Sequence, residues 1–247
     1  MGTRFLLLSS LVCLLFCASC TTTSKIAYFQ NPQDTSYRQQ LGTVEVPFQN
    51  NDILSITISS LDAKASEDFN KPDLANKGYL INSDGEIELP MLGNIRAAGL
   101  TKKQLKEKIT NTILAKKLLV APLVEIRFLN FEVTVLGEVG HPAVFTVPSE
   151  QITFVKALSL AGDLTIYGKR DNILLIREED GVRRTRRINI NSSDFLNSEY
   201  YYLKPNDLIY VEPNKAKVAT TGRSQQILPV VLTGVSFLFL VLDKIIK

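Results

Sequence analysis

After residue 20 this 247-residue chain contains no cysteine. Its three thiols, Cys13, Cys17 and Cys20, all lie in the opening segment. A disulfide framework and a cysteine-bound zinc site are therefore excluded for the body. Tryptophan is absent, and His141 is the single histidine. A His-dependent triad would have to use His141, and a site built from several imidazoles cannot be made. Neither sign of charge is in large excess: 28 Lys and Arg against 25 Asp and Glu leave +3. A dedicated nucleic-acid binder usually carries a strong basic excess, so nucleic acid is not an expected partner. The chain also lacks a Gly-rich phosphate loop, a Gly-x-Ser-x-Gly elbow and a ligand-spaced carboxylate cluster, and no cofactor is implied. Its length allows one large domain or two to three small ones, each with its own core.

What is present begins at the ends. Arg4 precedes the apolar run Phe5 to Phe16, twelve residues long. A positive start followed by a short apolar core reads as a secretory signal peptide, too short to span a bilayer well. Cys17-Ala18-Ser19-Cys20 follows. Small residues before a cysteine resemble the bacterial lipobox, in which the thiol takes a diacylglycerol and becomes the first mature residue. Cys20 fits best, because Ala18 and Ser19 are small, whereas Phe16 before Cys17 is bulky. The departure is Cys17, where a leucine is usual. The competing reading is an ordinary signal peptide with a chance cysteine. Thr21-Thr22-Thr23-Ser24 has no aspartate beside the cysteine, which in such lipoproteins favours the outer membrane.

At the other end, Ile227 to Leu242 runs sixteen residues without a charge. A helix from Pro229 to Lys247 would be roughly 28 Å long at 1.5 Å per residue, enough for a thin bilayer. A buried core helix is the competing reading. Gln226, Pro229, Thr233, Ser236, Leu240, Asp243 and Lys247 recur at spacings of three and four and form one stripe, with Val, Leu and Phe opposite. Such a stripe can line a water-filled lumen, or equally be a helix-contact face.

Between the ends, residues 20–42 are polar and read as a tether. Asp52 to Ile58 alternates as a strand, 64–77 reads as a loop, and Tyr79-Leu80-Ile81 and Ile87-Glu88-Leu89 flank an Asp84-Gly85 hairpin signal. Thr101 and Gln104 have capping-box spacing, Leu100 and Leu105 suit a hydrophobic staple, and Leu105, Ile109 and Ile113 form one helical stripe. Val124 to Phe128 and Phe131 to Val135 alternate as strands. His141 reads as a surface turn residue beside Pro142. A second short helix is expected over Thr153 to Ala161, closed by Gly162. Asn172 to Arg177 and Val182 to Ile190 flank a second hairpin signal. Arg183-Arg184-Thr185-Arg186-Arg187 suits an exposed edge strand or a subunit contact, with polyanion binding as an alternative. Asn51-Asp52-Ile53-Leu54-Ser55-Ile56 and Asn206-Asp207-Leu208-Ile209-Tyr210-Val211 repeat one turn-then-strand pattern, which points to small α+β units.

These residues resemble the outer-membrane polysaccharide export lipoproteins of capsule and exopolysaccharide systems. Asn51 to Ile56, Tyr79 to Gly93 and Gly99-Leu100-Thr101 resemble the polysaccharide export domain. Val135 to Ala143, with Ala157-Leu158-Ser159-Leu160-Ala161-Gly162-Asp163, resembles the soluble-ligand-binding β-grasp (SLBB) module; His141-Pro142-Ala143 and Asp163 depart from its usual Pro-Gly and Ala-Gly-Gly. Pro205 to Val211 matches the family's second turn and strand. The resemblance implies an α+β chain arranged as signal peptide 1–19, lipidated tether 20–42, export domain 43–130, SLBB domain with closing strand 131–213, linker 214–226 and transmembrane helix 227–247.

It also implies a homo-oligomeric ring in the outer membrane, lipid-anchored at Cys20, with its bulk in the periplasm. In the best-known members eight helices close into a barrel and two β-grasp modules are present; this chain carries one. The implied lumen residues are Gln226, Thr233, Ser236, Asp243 and Lys247. The implied partners are the exported polysaccharide, outer-membrane lipid and an inner-membrane co-polymerase with a tyrosine-kinase-like part. On this reading the chain is a passive translocon. A periplasmic glycan-binding or scaffolding lipoprotein, with the helix only an anchor, is the alternative. An enzyme of cell-wall processing would need catalytic residues that the sequence does not offer.

Overall fold

The computed structural model describes residues 27–30, 46–70, 78–179 and 181–221, and, of the C-terminal segment, 227, 229–234, 236, 237, 241 and 244. Two hydrophobic cores organise them. Phe48, Leu54, Ile58, Ile81, Leu105, Ile109 and Ile126 belong to the first. Val133, Val135, Phe154, Ile173, Leu175 and Ile209 belong to the second. Phe128 joins them: it packs against both, 4.9 Å from the Phe48 ring and 6.3 Å from the Phe131 ring between centroids.

The first core lies between a three-stranded antiparallel sheet and a helix. β1 (Ile53–Ser59) is central, between β2 (Tyr79–Leu80) and β5 (Leu123–Phe128). The alternation of β1 buries Leu54, Ile56 and Ile58 on one face, as period-two patterning requires. α2 (Lys102–Ala115) answers with Leu105, Ile109 and Ile113, all buried. Its start carries the expected capping box: Thr101 Oγ1 accepts from the Gln104 N–H at 3.3 Å, and Gln104 Oε1 accepts from the Thr101 N–H at 2.9 Å. Thr101→Ala is expected to lower unfolding free energy by about 1 kcal/mol; a change under a few tenths in urea titration would show the cap to be idle.

Two local expectations need correction. Residues 64–77 are not all loop: α1 (Ala63–Glu67) forms there, because Asp62 Oδ1 accepts from the Lys64 and Ala65 N–H groups and caps it. The Asp84-Gly85 turn does form, with Asn82 N–H bonding Glu86 O at 2.9 Å and Gly85 at φ 78°. Its flanks do not pair as a hairpin. β2 pairs with β1, while β3 (Glu86–Leu89) pairs with β4 (Gly93–Arg96) across a second turn at 90–92. Alternation identified the strands but carried no information on their partners.

The second core is roofed by a five-stranded mixed sheet. Its members are β6 (Glu132–Gly137), β7 (Ala143–Thr146), β9 (Ile173–Glu179), β10 (Val182–Ile188) and β12 (Leu208–Val211), ordered β10-β9-β12-β6-β7. β12 runs parallel to β6 and antiparallel to β9. β8 (Ile152–Thr153) pairs with β11 (Tyr202–Leu203), and α3 (Phe154–Leu160) buries Phe154, Ala157 and Leu158. The β9–β10 hairpin and the helix ending at Gly162, φ 74°, match the sequence expectation. Gly137 is required where β12 approaches: at φ 93°, a Cβ would lie 2.1 Å from the Val211 carbonyl oxygen. His141 is exposed in the β6–β7 turn.

The repeated sequence pattern is a repeated turn. Asn51 and Asn206 both adopt positive φ, 71° and 66°. Asp52 and Asp207 follow, both buried, at 3% and 0% exposure. Asp52 Oδ2 accepts from the Gln49 N–H at 2.7 Å, and Asp207 Oδ2 from the Lys204 N–H at 2.8 Å. Asparagine tolerates the left-handed backbone, and each carboxylate satisfies the amide that its turn leaves open.

Candidate functional site

The residues that carry function on the sequence reading lie at the chain ends and on one sheet edge. Cys20, Gln226, Asp243 and Lys247 lie outside the described residues. Thr233 and Ser236 are described, helical and exposed. Thr233 Oγ1 donates to Pro229 O at 2.7 Å and Ser236 Oγ to Leu232 O at 2.9 Å. Both hydroxyl protons are thus satisfied by the helix's own carbonyls, and only their acceptor capacity remains for another group. Val230, Val231, Leu232 and Phe237 around them are exposed. Among the described residues no helix is long and apolar enough to cross a membrane, so the membrane helix expected at 227–247 is not carried by the described residues.

The basic patch sits on β10, an edge of the five-stranded sheet, with Val182 through Arg187 all exposed. An edge position was expected. The charges are largely balanced locally. Arg183 pairs with Glu178 at 3.2 Å, Arg184 with Glu179 at 2.9 Å, and Arg187 with Glu212. Glu179 and Glu212 are held below the usual carboxylate range mainly by hydrogen bonds, from Lys204 and from Arg187 with Lys169 respectively. Arg186 lies over the Tyr200 ring at 5.5 Å. A polyanion would meet arginines already engaged with carboxylates, so the patch is better suited to a contact than to a charge trap.

The outer face of this sheet is apolar. Leu174 and Ile176 on β9 stand opposite Tyr210 and Leu208 on β12, which stand opposite Leu136 and Thr134 on β6. Val144 on β7 completes the row opposite Thr134. None of these is fully buried, and Val144 is 58% exposed. A sheet with water on one side usually alternates apolar-in and polar-out. Here both faces are apolar at the centre.

The polar tether expected over 20–42 needs correction at one place. Tyr28 and Phe29 pack against the second core, and the Tyr28 hydroxyl donates to Asp163. Burial, with the bond to Asp163 second, pushes the Tyr28 hydroxyl up to about 12. An aromatic pair inside a polar stretch was the available signal; its partner lies 135 residues away. A cavity of about 320 Å³ opens beside this contact, lined by Tyr28, Phe29, Val155, Leu158, Gly162 and Asp163 among others. Among the described residues no three His, Cys, Asp or Glu side chains gather to hold a metal ion.

This architecture has counterparts among known proteins. Residues 43–129 match the family model described as polysaccharide biosynthesis/export protein, and 133–186 match the SLBB domain. With more than half of its length covered by the two in that order, the chain belongs to the polysaccharide export protein family. This is a family of export proteins rather than of enzymes. The chain is 27% identical over 159 residues to the EPS I polysaccharide export outer membrane protein EpsA of Ralstonia solanacearum, covering 62% of this chain and 41% of that protein. Its counterpart from Ralstonia nicotianae is 29% identical over 160 residues, with the same coverage. The chain therefore spans about two fifths of the length of the curated relatives it matches.

Proposed function

We propose that this chain is a subunit of an outer-membrane channel that passes capsular polysaccharide or exopolysaccharide from periplasm to cell surface. Cys20 carries the lipid, residues 43–130 form the export domain and 131–213 the SLBB domain, and the linker 214–226 leads to a membrane helix at 227–247. Copies form a ring, and their helices place Gln226, Thr233, Ser236, Asp243 and Lys247 toward the lumen. An inner-membrane co-polymerase with a tyrosine-kinase-like part feeds the polymer in. No bond is made or broken.

The observation that supports this most is the exposed, apolar, helical segment beyond the second domain, in a chain of this family. Val230, Val231, Leu232 and Phe237 have nothing from the described chain over them, and such surface is stable only against lipid or another helix. The apolar outer face of the five-stranded sheet offers a contact between neighbouring copies. The test is particle mass in mild detergent, with Cys20→Ala beside the wild type. A ring of identical copies is expected, and Cys20→Ala is expected to lose lipid. A strictly monomeric particle would sink the channel, and a lipidated Cys20→Ala chain would sink the anchor.

One observation favours a second reading, a periplasmic glycan-binding or scaffolding lipoprotein anchored by its helix. The Thr233 and Ser236 protons are already bonded inside the helix and need no water. Thr233→Asp and Ser236→Asp separate the two: a lumen tolerates the charge, whereas a lipid-facing or tightly packed position does not.

A further inference from the structure

The Ala27–Gln30 strap closes a cavity over α3. Phe29 N–H bonds Ile190 O at 3.1 Å, Gln30 forms a parallel bridge with Ser192, and the Tyr28 hydroxyl donates to Asp163 Oδ1. The buried Arg170 guanidinium lies over the Tyr28 ring at 5.5 Å and is itself fixed by donating to Gly168 O at 3.1 Å and Thr165 O at 3.3 Å. Strap and helix enclose the cavity of about 320 Å³. That is near the lower limit for a small-molecule pocket, so it suits one sugar-sized ring with its substituents.

Floor and mouth differ. Leu158 and Ile190 are buried, and Val155 and Phe29 half-buried, so the floor is apolar. Ser159, Gly162 and Asp163 are exposed and form the mouth. The donors around it are spent. Ser159 Oγ donates to Val155 O at 2.9 Å. The Gly162, Asp163 and Ile190 N–H groups bond Ser159 O, Leu158 O and Arg170 O. Acceptors are left over. Asp163 Oδ1 takes both the Tyr28 hydroxyl and the Leu164 N–H, while Oδ2 has no hydrogen-bond partner among the described residues. The Ser159 and Tyr28 oxygens keep lone pairs. No Lys, Arg or His side chain among the described residues lines the cavity. Asp163 stands at φ 66°, a backbone that glycine adopts more readily, so its carboxylate is held at the mouth against local preference.

A ligand that matches this lining brings hydrogen-bond donors and an apolar group, and carries no negative charge for Asp163 to repel. A plain hexose has the donors but little for the apolar floor. An N-acetylated hexosamine has both: hydroxyls and an amide N–H for Asp163 Oδ2 and Ser159, and a methyl for Leu158 and Ile190. We propose that the strap cavity binds an N-acetylhexosamine unit of a glycan, with the acetamido methyl on the apolar floor and the hydroxyls at Asp163. This rests on the reading of the chain as a polysaccharide exporter and names the sugar chemistry that its second domain recognises. Tyr28 and Phe29 come from the strap, so the site is complete only with the strap closed.

The test is ligand-observed saturation-transfer NMR on the full chain in lipid nanodiscs. The probes are the methyl glycosides of N-acetylglucosamine and N-acetylgalactosamine, beside those of glucose, glucosamine and glucuronic acid. At least one N-acetyl sugar is expected to bind about ten-fold tighter than glucose, with its acetamido methyl receiving the strongest transfer. Asp163→Asn keeps an oxygen for Tyr28 and turns the free acceptor into a donor. It is expected to weaken binding about ten-fold, while the Phe29 and Gln30 amides exchange as slowly as in wild type. Ser159→Leu fills the mouth from an exposed helix position and is expected to abolish binding. Absent transfer, equal binding of glucose, preference for glucosamine or glucuronate, or undiminished binding to both variants overturns the site. Particle mass judges the underlying reading separately: a ring that binds no N-acetyl sugar keeps the exporter and loses the site, whereas a monomer that binds one keeps the site and loses the channel.

Discussion

Asp207→Ala is expected to destabilise the fold by about 3–5 kcal/mol, the range for removing one partner of a buried ion pair. Asp207 is fully buried, and Arg177 beside it is nearly so. The guanidinium grips both oxygens: Nε donates to Oδ1 at 2.8 Å and Nη2 to Oδ2 at 2.7 Å. Burial alone would lower the Arg177 pKa, but the hydrogen bond and charge of Asp207 more than reverse it. Alanine leaves that cation stranded in the second core. It also strips the Lys204 N–H of its acceptor and loosens the turn that launches β12. Urea unfolding should show the midpoint falling by more than 1 M for an m-value near 2–3 kcal/mol/M. Arg177→Met combined with Asp207→Asn should recover a large part of the loss, because it removes the cation and keeps an acceptor for Lys204. A loss below about 1 kcal/mol for Asp207→Ala would mean that water reaches the pair.

The sister turn carries a pH dependence of its own. Burial, only partly offset by the Gln49 N–H, raises the Asp52 carboxyl from an ordinary 3.8 to about 6, with no cation among the described residues acting on it. The folded chain therefore holds this proton more tightly than the unfolded chain. Between about pH 4 and pH 6 the unfolded state has released the proton and the folded state has not, so this group's contribution to stability falls as pH rises and levels off above pH 6. The shift corresponds to about 2–3 kcal/mol across that window. Asp52→Asn should remove this slope, since its side-chain oxygen can still accept from Gln49. The difference between wild-type and variant stability curves isolates Asp52 from every other carboxylate and from His141. A wild-type slope that survives in the variant would assign the effect elsewhere.

Local physics was the legible part of the sequence. Thr101 and Gln104 close their capping box, and Leu105, Ile109 and Ile113 bury as one stripe, because both depend on residues three or four apart. The Asn51-Asp52 and Asn206-Asp207 echo was visible as pattern. That only Asp207 has an arginine was not, since Arg177 arrives from a different strand. Strand pairing failed at β2 for the same reason: Tyr79 and Leu80 pair with the edge of β1 opposite β5 rather than with their sequence neighbour β3. The strap was read as tether because two aromatics among polar residues cannot by themselves name an acceptor 135 positions away. Of the candidate site, the β10 arginines were placed on an edge by composition. Their neutralising glutamates came from β9 and from Glu212 after β12, partners that only the folded register supplies.

The last strand among the described residues, β12, is the middle strand of its sheet in space. Until residues 208–211 are present, β9 with β10 and β6 with β7 are two separate hairpins with an empty slot between them. Filling it closes a loop of some seventy residues back to β6, a slow, non-local step compared with hairpin formation. The second domain thus cannot mature from its N-terminal end as the chain emerges. It waits until residue 211 has been made, and its two half-sheets stay open for capture by other strands until then.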